Sequence, residues 1–122
     1  MRRTGPDAKT CEALADRAGH CCEVCGVPIR GYNFSRQHRR ARGMGGSRRP
    51  DTNALTNLLL VCGSATSPDG CHYRIESRPQ WALERGYRVP QSADPAAVPV
   101  TIGHYQRVLF LTVEGAYAEA NA

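Results

Sequence analysis

Lysine is almost missing from this chain: 15 of its 16 basic residues are arginine, and Lys9 is the exception. Aromatic residues are scarce at 7%, so a domain of this size has a thin core and gains from an added staple. No apolar run is long enough to span a membrane. Met1-Arg2-Arg3 leads into polar residues and Pro6 without the apolar stretch of a secretory leader. No membrane partner is therefore expected, and the chain reads as cytoplasmic. Repeats and low-complexity segments are also lacking. The most informative absence is local. Between Glu23 and Asp51 there is no acidic residue, yet the stretch holds Arg30, Arg36, Arg39, Arg40, Arg42, Arg48 and Arg49. A planar guanidinium suits phosphate oxygens, so this is the footprint of a polyanion, with a solvated basic loop as the plainer alternative.

The 122 residues suggest one domain of small α+β type with net charge +5. Residues 1–9 read as a flexible arm. A short helix follows, capped by Thr10, with Glu12 in its first turn, Leu14 on a weak apolar face and Gly19 at its end. Residues 27–38 read as an irregular extended strand pair turning at Gly31. Residues 39–54 form a surface loop rich in arginine and glycine. Leu58–Val61 is a short buried strand, and 63–70 a polar loop. A helix starts near Cys71 and runs past Glu76. Pro79 interrupts it or opens a second short helix, which carries Trp81 and Leu83 and ends at Gly86. In the tail, 98–102 and 108–113 read as strands, with a turn at Glu114-Gly115. Residues 10–86 thus form the main domain, and 87–122 a β extension packed on it.

Six cysteines in such a chain point to metal before disulfides. Cys22 and Cys25, three apart around a tight turn, offer half of a tetrahedral thiolate site. Cys62 and Cys71 are the natural second half, although their spacing is longer than usual. A structural zinc there would tie residues 22–71 together. Free buried thiols or an adventitious disulfide remain the alternative. Cys11 and Cys21 read as non-ligands.

His38, Asn57 and His72 stand in order around this framework. The run Cys22-Glu-Val-Cys25-Gly, Gln37-His38-Arg-Arg, Gly43-Met-Gly-Gly46, Asn57-Leu-Leu-Leu-Val-Cys62 and Gly70-Cys71-His72 resembles the HNH endonuclease family. The nearest likeness is to small HNH proteins of actinobacterial phages, and the core likeness covers roughly residues 20–78. It implies a ββα-metal core stapled by the four-cysteine zinc site, with an N-terminal helix and a C-terminal β extension. It further implies DNA as the substrate, His38 as general base, Asn57 as the middle residue and His72 as a ligand of the catalytic metal. The chemistry is coherent. Phosphodiester hydrolysis needs an imidazole to take a proton from water, a Lewis acid and charge neutralisation.

His72 and Glu76, four apart on a helix, share a face and make a two-ligand pair. Alternatively, Glu76 is a solvated carboxylate or a partner of Arg74 or Arg78. The family often has Asp or His before the base. Here Gln37 stands there, a weaker ligand, which leaves magnesium, manganese, nickel and zinc open for the catalytic ion. Asn57 has the alternative of a turn cap. Asn53 reads as a turn residue, and His20 and His104 as structural or exposed. Arg36, Arg39, Arg40, Arg42, Arg48 and Arg49 are the candidate DNA contacts. A non-catalytic zinc module that binds nucleic acid is the competing reading, as is an adaptor in a phage terminase or packaging machine. The chain is a monomer or a homodimer, with the tail strands as the first candidate surface.

Overall fold

The computed structural model describes residues 5–29, 33–41, 49–103 and 106–120 and has small α+β architecture. Helix α1 spans Ala8–Ala18. Its cap is Asp7, whose carboxylate accepts from Thr10 N at 2.8 Å. The helix therefore starts before Thr10 and takes in the end of the expected arm. An aspartate in extended backbone binds an otherwise orphaned N–H of the first turn, and Thr10 supplies that N–H instead of acting as the cap. Gly19 ends α1 in the left-handed conformation, at φ 63°.

Strand β1, Phe34–His38, pairs antiparallel with strand β2, Leu58–Cys62, from Phe34 opposite Cys62 to His38 opposite Leu58. The strand pair expected within 27–38 does not form among the described residues. Pro28 makes one isolated bridge with Cys21, and β1 finds its partner across the arginine loop. Gly31 lies outside the described residues. The β2 run is apolar throughout because both of its faces are covered. Leu59 and Val61 enter a cluster with Cys22, Cys71, Ile75 and Tyr87, while Leu58 and Leu60 pack on Leu14, Ala18 and Ile29.

Helices α2, Cys71–Ser77, and α3, Pro79–Arg85, follow in succession, with Pro79 opening the second. Gly86 closes α3 at φ 79°, and a Cβ there would lie 2.0 Å from Pro99 O, so the tail crosses where only glycine fits. Strands β3, Val100–Ile102, β4, Arg107–Leu111, and β5, Tyr117–Glu119, form an antiparallel sheet in that order. Val100, Ile102, Leu109 and Leu111 share the first cluster with Leu59 and Val61. Among the described residues no helix is long and apolar enough to cross a membrane.

A buried ion pair joins these parts. Arg17 and Glu23 meet bidentately, Nε to Oε2 at 3.0 Å and Nη2 to Oε1 at 2.8 Å, with both side chains 1% exposed. Arg17 also donates to the carbonyls of Leu55 and Leu58. Glu23 accepts from Leu60 N and from the Tyr117 hydroxyl. Its backbone continues the web, donating to Leu60 O and accepting from Gly103 N. One residue inside the Cys22–Cys25 turn thus ties α1, β2 and β5 together. Burying such a pair gains little, but breaking it strands a charge. Glu23→Ala is expected to lower unfolding free energy by about 3–5 kcal/mol with metal saturating, as measured by urea denaturation. A loss under about 1 kcal/mol would mean that the pair is dispensable.

Candidate functional site

Four sulfurs converge at the junction of the Cys22–Cys25 turn, the end of β2 and the start of α2. The Sγ atoms of Cys22, Cys25, Cys62 and Cys71 all lie within 4.8 Å of one another. Cys25 and Cys62 are 3.7 Å apart. A tetrahedral centre with metal–sulfur bonds of about 2.3 Å places its sulfurs about 3.8 Å apart. The set could hold a metal ion such as zinc. Cys11 and Cys21 stand outside it, with their thiols against the carbonyls of Pro6 and Gly19.

The long spacing of the second pair has a local cause. Gly63, at φ 81°, and Gly70 press backbone to backbone, and a Cβ on either would lie 2.7 Å from the other's Cα. That crossing pinches off the 63–70 loop, so residues nine apart in sequence become neighbours. Both pairs then share one device: Cys25 N donates to Cys22 Sγ at 3.5 Å, and Cys71 N to Cys62 Sγ at 3.4 Å. At Cys22 the N–H of Cys25 adds to the causes that favour thiolate over thiol.

The sulfurs cannot all ionise on their own. A hydrogen bond from the Cys71 thiol holds Cys22 down to about 5, outweighing its burial. That same bond, followed by burial and the nearby negative charge, pushes Cys71 up. Burial pushes Cys25 up to about 11. One thiolate forms readily and opposes the others, which is the condition that a cation relieves. Cys22 and Cys71 are buried while Cys25 is exposed, so the cluster is reachable from solvent.

A second feature lies along β1 and α2. Ser35 meets His72, and Gln37 meets Glu76. Two residues of strand and four of helix each advance about 6 Å, so the two elements stay in step. The Ser35 hydroxyl donates to Gly63 O at 2.6 Å and therefore accepts from His72 Nδ1 at 2.8 Å. That fixes the proton on Nδ1 and turns Nε2 toward Glu76 Oε1, 3.6 Å away. Gln37 Nε2 donates to the same carboxylate oxygen at 3.1 Å. Gln37 Oε1 is buried with no partner, the one such side-chain atom among the described residues. An imidazole nitrogen, a carboxylate and an amide side chain thus meet here, and the amide oxygen is left without a partner.

Arg36, Gln37, His38, Ala41, His72 and Glu76 line one cleft of about 230 Å³. His38 Nε2 lies 2.8 Å from Asn53 Oδ1. Since that oxygen can only accept, His38 carries its proton on Nε2 and presents Nδ1 as the acceptor. Asn53 lies in a turn, as expected, and in addition holds the His38 ring. Nothing in its spacing singles it out.

Three expected site residues take other roles. Asn57 is fully buried and is not part of the cleft lining. Its Oδ1 accepts from Arg40 N, and its Nδ2 donates to the carbonyls of Arg40 and Thr52. It clamps the chain after His38, the bracing role that the turn-cap alternative describes. Arg39, expected on DNA, is 1% exposed and gives its guanidinium to the carbonyls of Gly86, Thr56, Pro95 and Val98. Burial, helped by the charge on Arg17, lowers its pKa to about 10, which leaves it cationic. Arg40 is 5% exposed and is spent on Asp51 and Ala93 O. Arg36 is exposed with its guanidinium over the Phe34 ring, and Arg49 is exposed and donates to Gln91 O. Arg42, Arg48 and His104 lie outside the described residues. His20 is exposed beside Asp16.

Compared with family models, with functionally described proteins and with solved structures, the chain matches none. Metal analysis of the purified chain is expected to find one zinc per chain, kept in His38→Ala and lost in Cys22→Ser. Chelation is expected to lower the thermal midpoint by more than about 10 °C, since thiolate-bound zinc contributes folding free energy directly. A chain that stays folded at the same midpoint without zinc would contradict a structural role for the cluster.

Proposed function

We propose that the chain is a metal-dependent endonuclease of the HNH type, hydrolysing DNA phosphodiester bonds, with β1, β2 and α2 as its ββα core. The observation that carries this reading is the shared cleft. His38 and His72, from different elements, line it together with Glu76 and the unpartnered oxygen of Gln37. The residues fit a divalent ion: His72 through Nε2, Glu76 through its carboxylate and Gln37 through Oε1 would hold it. When bound, such an ion supplies Lewis-acid polarisation of the phosphate and stabilises the departing oxygen.

The chain's own residues supply the rest. His38, fixed by Asn53, takes a proton from the attacking water at Nδ1. As the water oxygen bonds to phosphorus, the bond to the leaving sugar oxygen breaks. Ser35 keeps His72 in the tautomer that leaves Nε2 available. Asn57 and Arg39 hold the backbone beyond His38 to the core, which limits movement of the base. Arg36, exposed in the lining of the cleft, offers a charge to a flanking phosphate. The zinc at the four cysteines is structural, because four thiolates leave no open coordination position.

One feature favours a non-catalytic nucleic-acid module instead. Glutamine stands where a stronger ligand would hold the ion, and its amide nitrogen is engaged with Glu76.

Plasmid nicking across magnesium, manganese, nickel and zinc separates the two readings. The nuclease reading expects nicking with at least one ion. It expects a fall of about 10²–10⁴-fold in His38→Ala with zinc still bound, and a raised metal requirement in Glu76→Ala. Nicking is also expected to fall on acidification, because a protonated imidazole cannot act as a base. No nicking with any of the four ions, alongside intact DNA binding, would give the binding module.

A further inference from the structure

A second cleft, of about 440 Å³, lies on another side of α2. Arg74 is two residues from both His72 and Glu76, about 200° around the helix from each, so it points away from the first cleft. Facing it across the second cleft are Arg85 and Trp81 of α3, Tyr87, Thr101 and Gln106. The Arg74 guanidinium lies 4.1 Å from the centre of the Trp81 ring, and that of Arg85 lies 5.9 Å away. Trp81 leans on Tyr87, with ring centres 5.1 Å apart, and the Tyr87 hydroxyl is committed to Thr101 O at 2.7 Å.

These arginines differ from those in the interior. Arg17 and Arg40 have carboxylates and Arg39 has four carbonyls, whereas Arg74 and Arg85 have neither a carboxylate nor a hydrogen-bond partner among the described residues. No acidic side chain is among the described residues lining the cleft. Two like charges share one indole, and their repulsion is relieved by an anion between them. Stacking on Trp81 restricts both side chains beforehand, so less entropy is lost when their free N–H edges bind.

We propose that this cleft binds a phosphodiester group of a DNA strand, as a contact separate from the cleft that holds His38 and His72. The assignment rests on DNA being the substrate. It gives the protein a grip on the strand beyond the scissile group and adds to Arg36, the arginine among the described residues lining the first cleft.

Trp81 is the only tryptophan, so its fluorescence reports this site directly. The test is titration of the zinc-loaded, full-length protein with a short DNA duplex, read by Trp81 emission and by anisotropy of a label on the DNA, with plasmid nicking assayed in parallel. The wild type is expected to show a saturable emission change. The double variant Arg74→Ala, Arg85→Ala is expected to lose that change, bind about tenfold more weakly and show a log–log salt slope smaller by about 2. If that variant fails to retain zinc, Arg85→Glu alone, on the exposed side of α3, is read the same way. A silent Trp81 in the wild type, or a folded variant with unchanged affinity and salt slope, would overturn the proposal. Inorganic phosphate competing as well as DNA would also overturn it, making the cleft a pocket for free anions. Nicking without a Trp81 response defeats this site and leaves the nuclease reading intact. A Trp81 response without nicking does the reverse.

Discussion

Four sulfurs from three parts of the chain lie within 4.8 Å of one another, and that convergence sets how the strand pair and the helix beside it are placed. Cys22 and Cys25 lie beyond α1, Cys62 ends β2 and Cys71 begins α2. Closing the centre fixes where β2 stops and in which direction α2 departs. Because α2 then advances beside β1 in matching steps, Ser35 reaches His72 and Gln37 reaches Glu76. The cleft is thus a consequence of the cluster's position. A pinch between two glycines makes this possible with an intervening loop longer than a tight knuckle needs.

The interior is more polar than a thin core would suggest, and its polar groups do the positioning. Glu23 sits between two of the cluster's cysteines and spends both carboxylate oxygens and both backbone groups on other elements. Arg39 gathers four carbonyls from the end of α3, the turn before β2 and the tail. Asn57 braces the chain that follows His38. Each replaces apolar packing by hydrogen bonds with defined direction, which holds the chain around the first cleft more tightly than apolar contacts would. Arginine's five donors suit it to this work, and lysine could not take its place at Arg39.

Much of this was legible in the sequence, for identifiable reasons. The Leu58–Val61 run, Pro79 at a helix start and Gly86 at a helix end are local signals, and local structure follows them. The four cysteines could be paired because thiols in two short groups have few other uses in such a chain. The arginines were harder. A charge run without acids looks like a polyanion footprint, yet Arg39 and Arg40 turn inward to backbone carbonyls and Asp51. Strand β5 was missed because Ala118 and Glu119 are poor strand formers, and its pairing with β4 decides the matter. Asn53 could not be separated from an ordinary turn residue, since its contact with His38 exists only once the loop has folded.

The proposed nuclease site requires that the sulfur cluster bring the His38 and His72 imidazoles, from separate elements, to one divalent ion. NMR of the zinc-loaded protein with substoichiometric manganese tests it most directly, because the unpaired electrons broaden only nearby nuclei. Joint broadening of the His38 and His72 ring signals, with the exposed His20 ring unaffected, is the predicted result. Broadening of neither ring, or of His72 without His38, would contradict it.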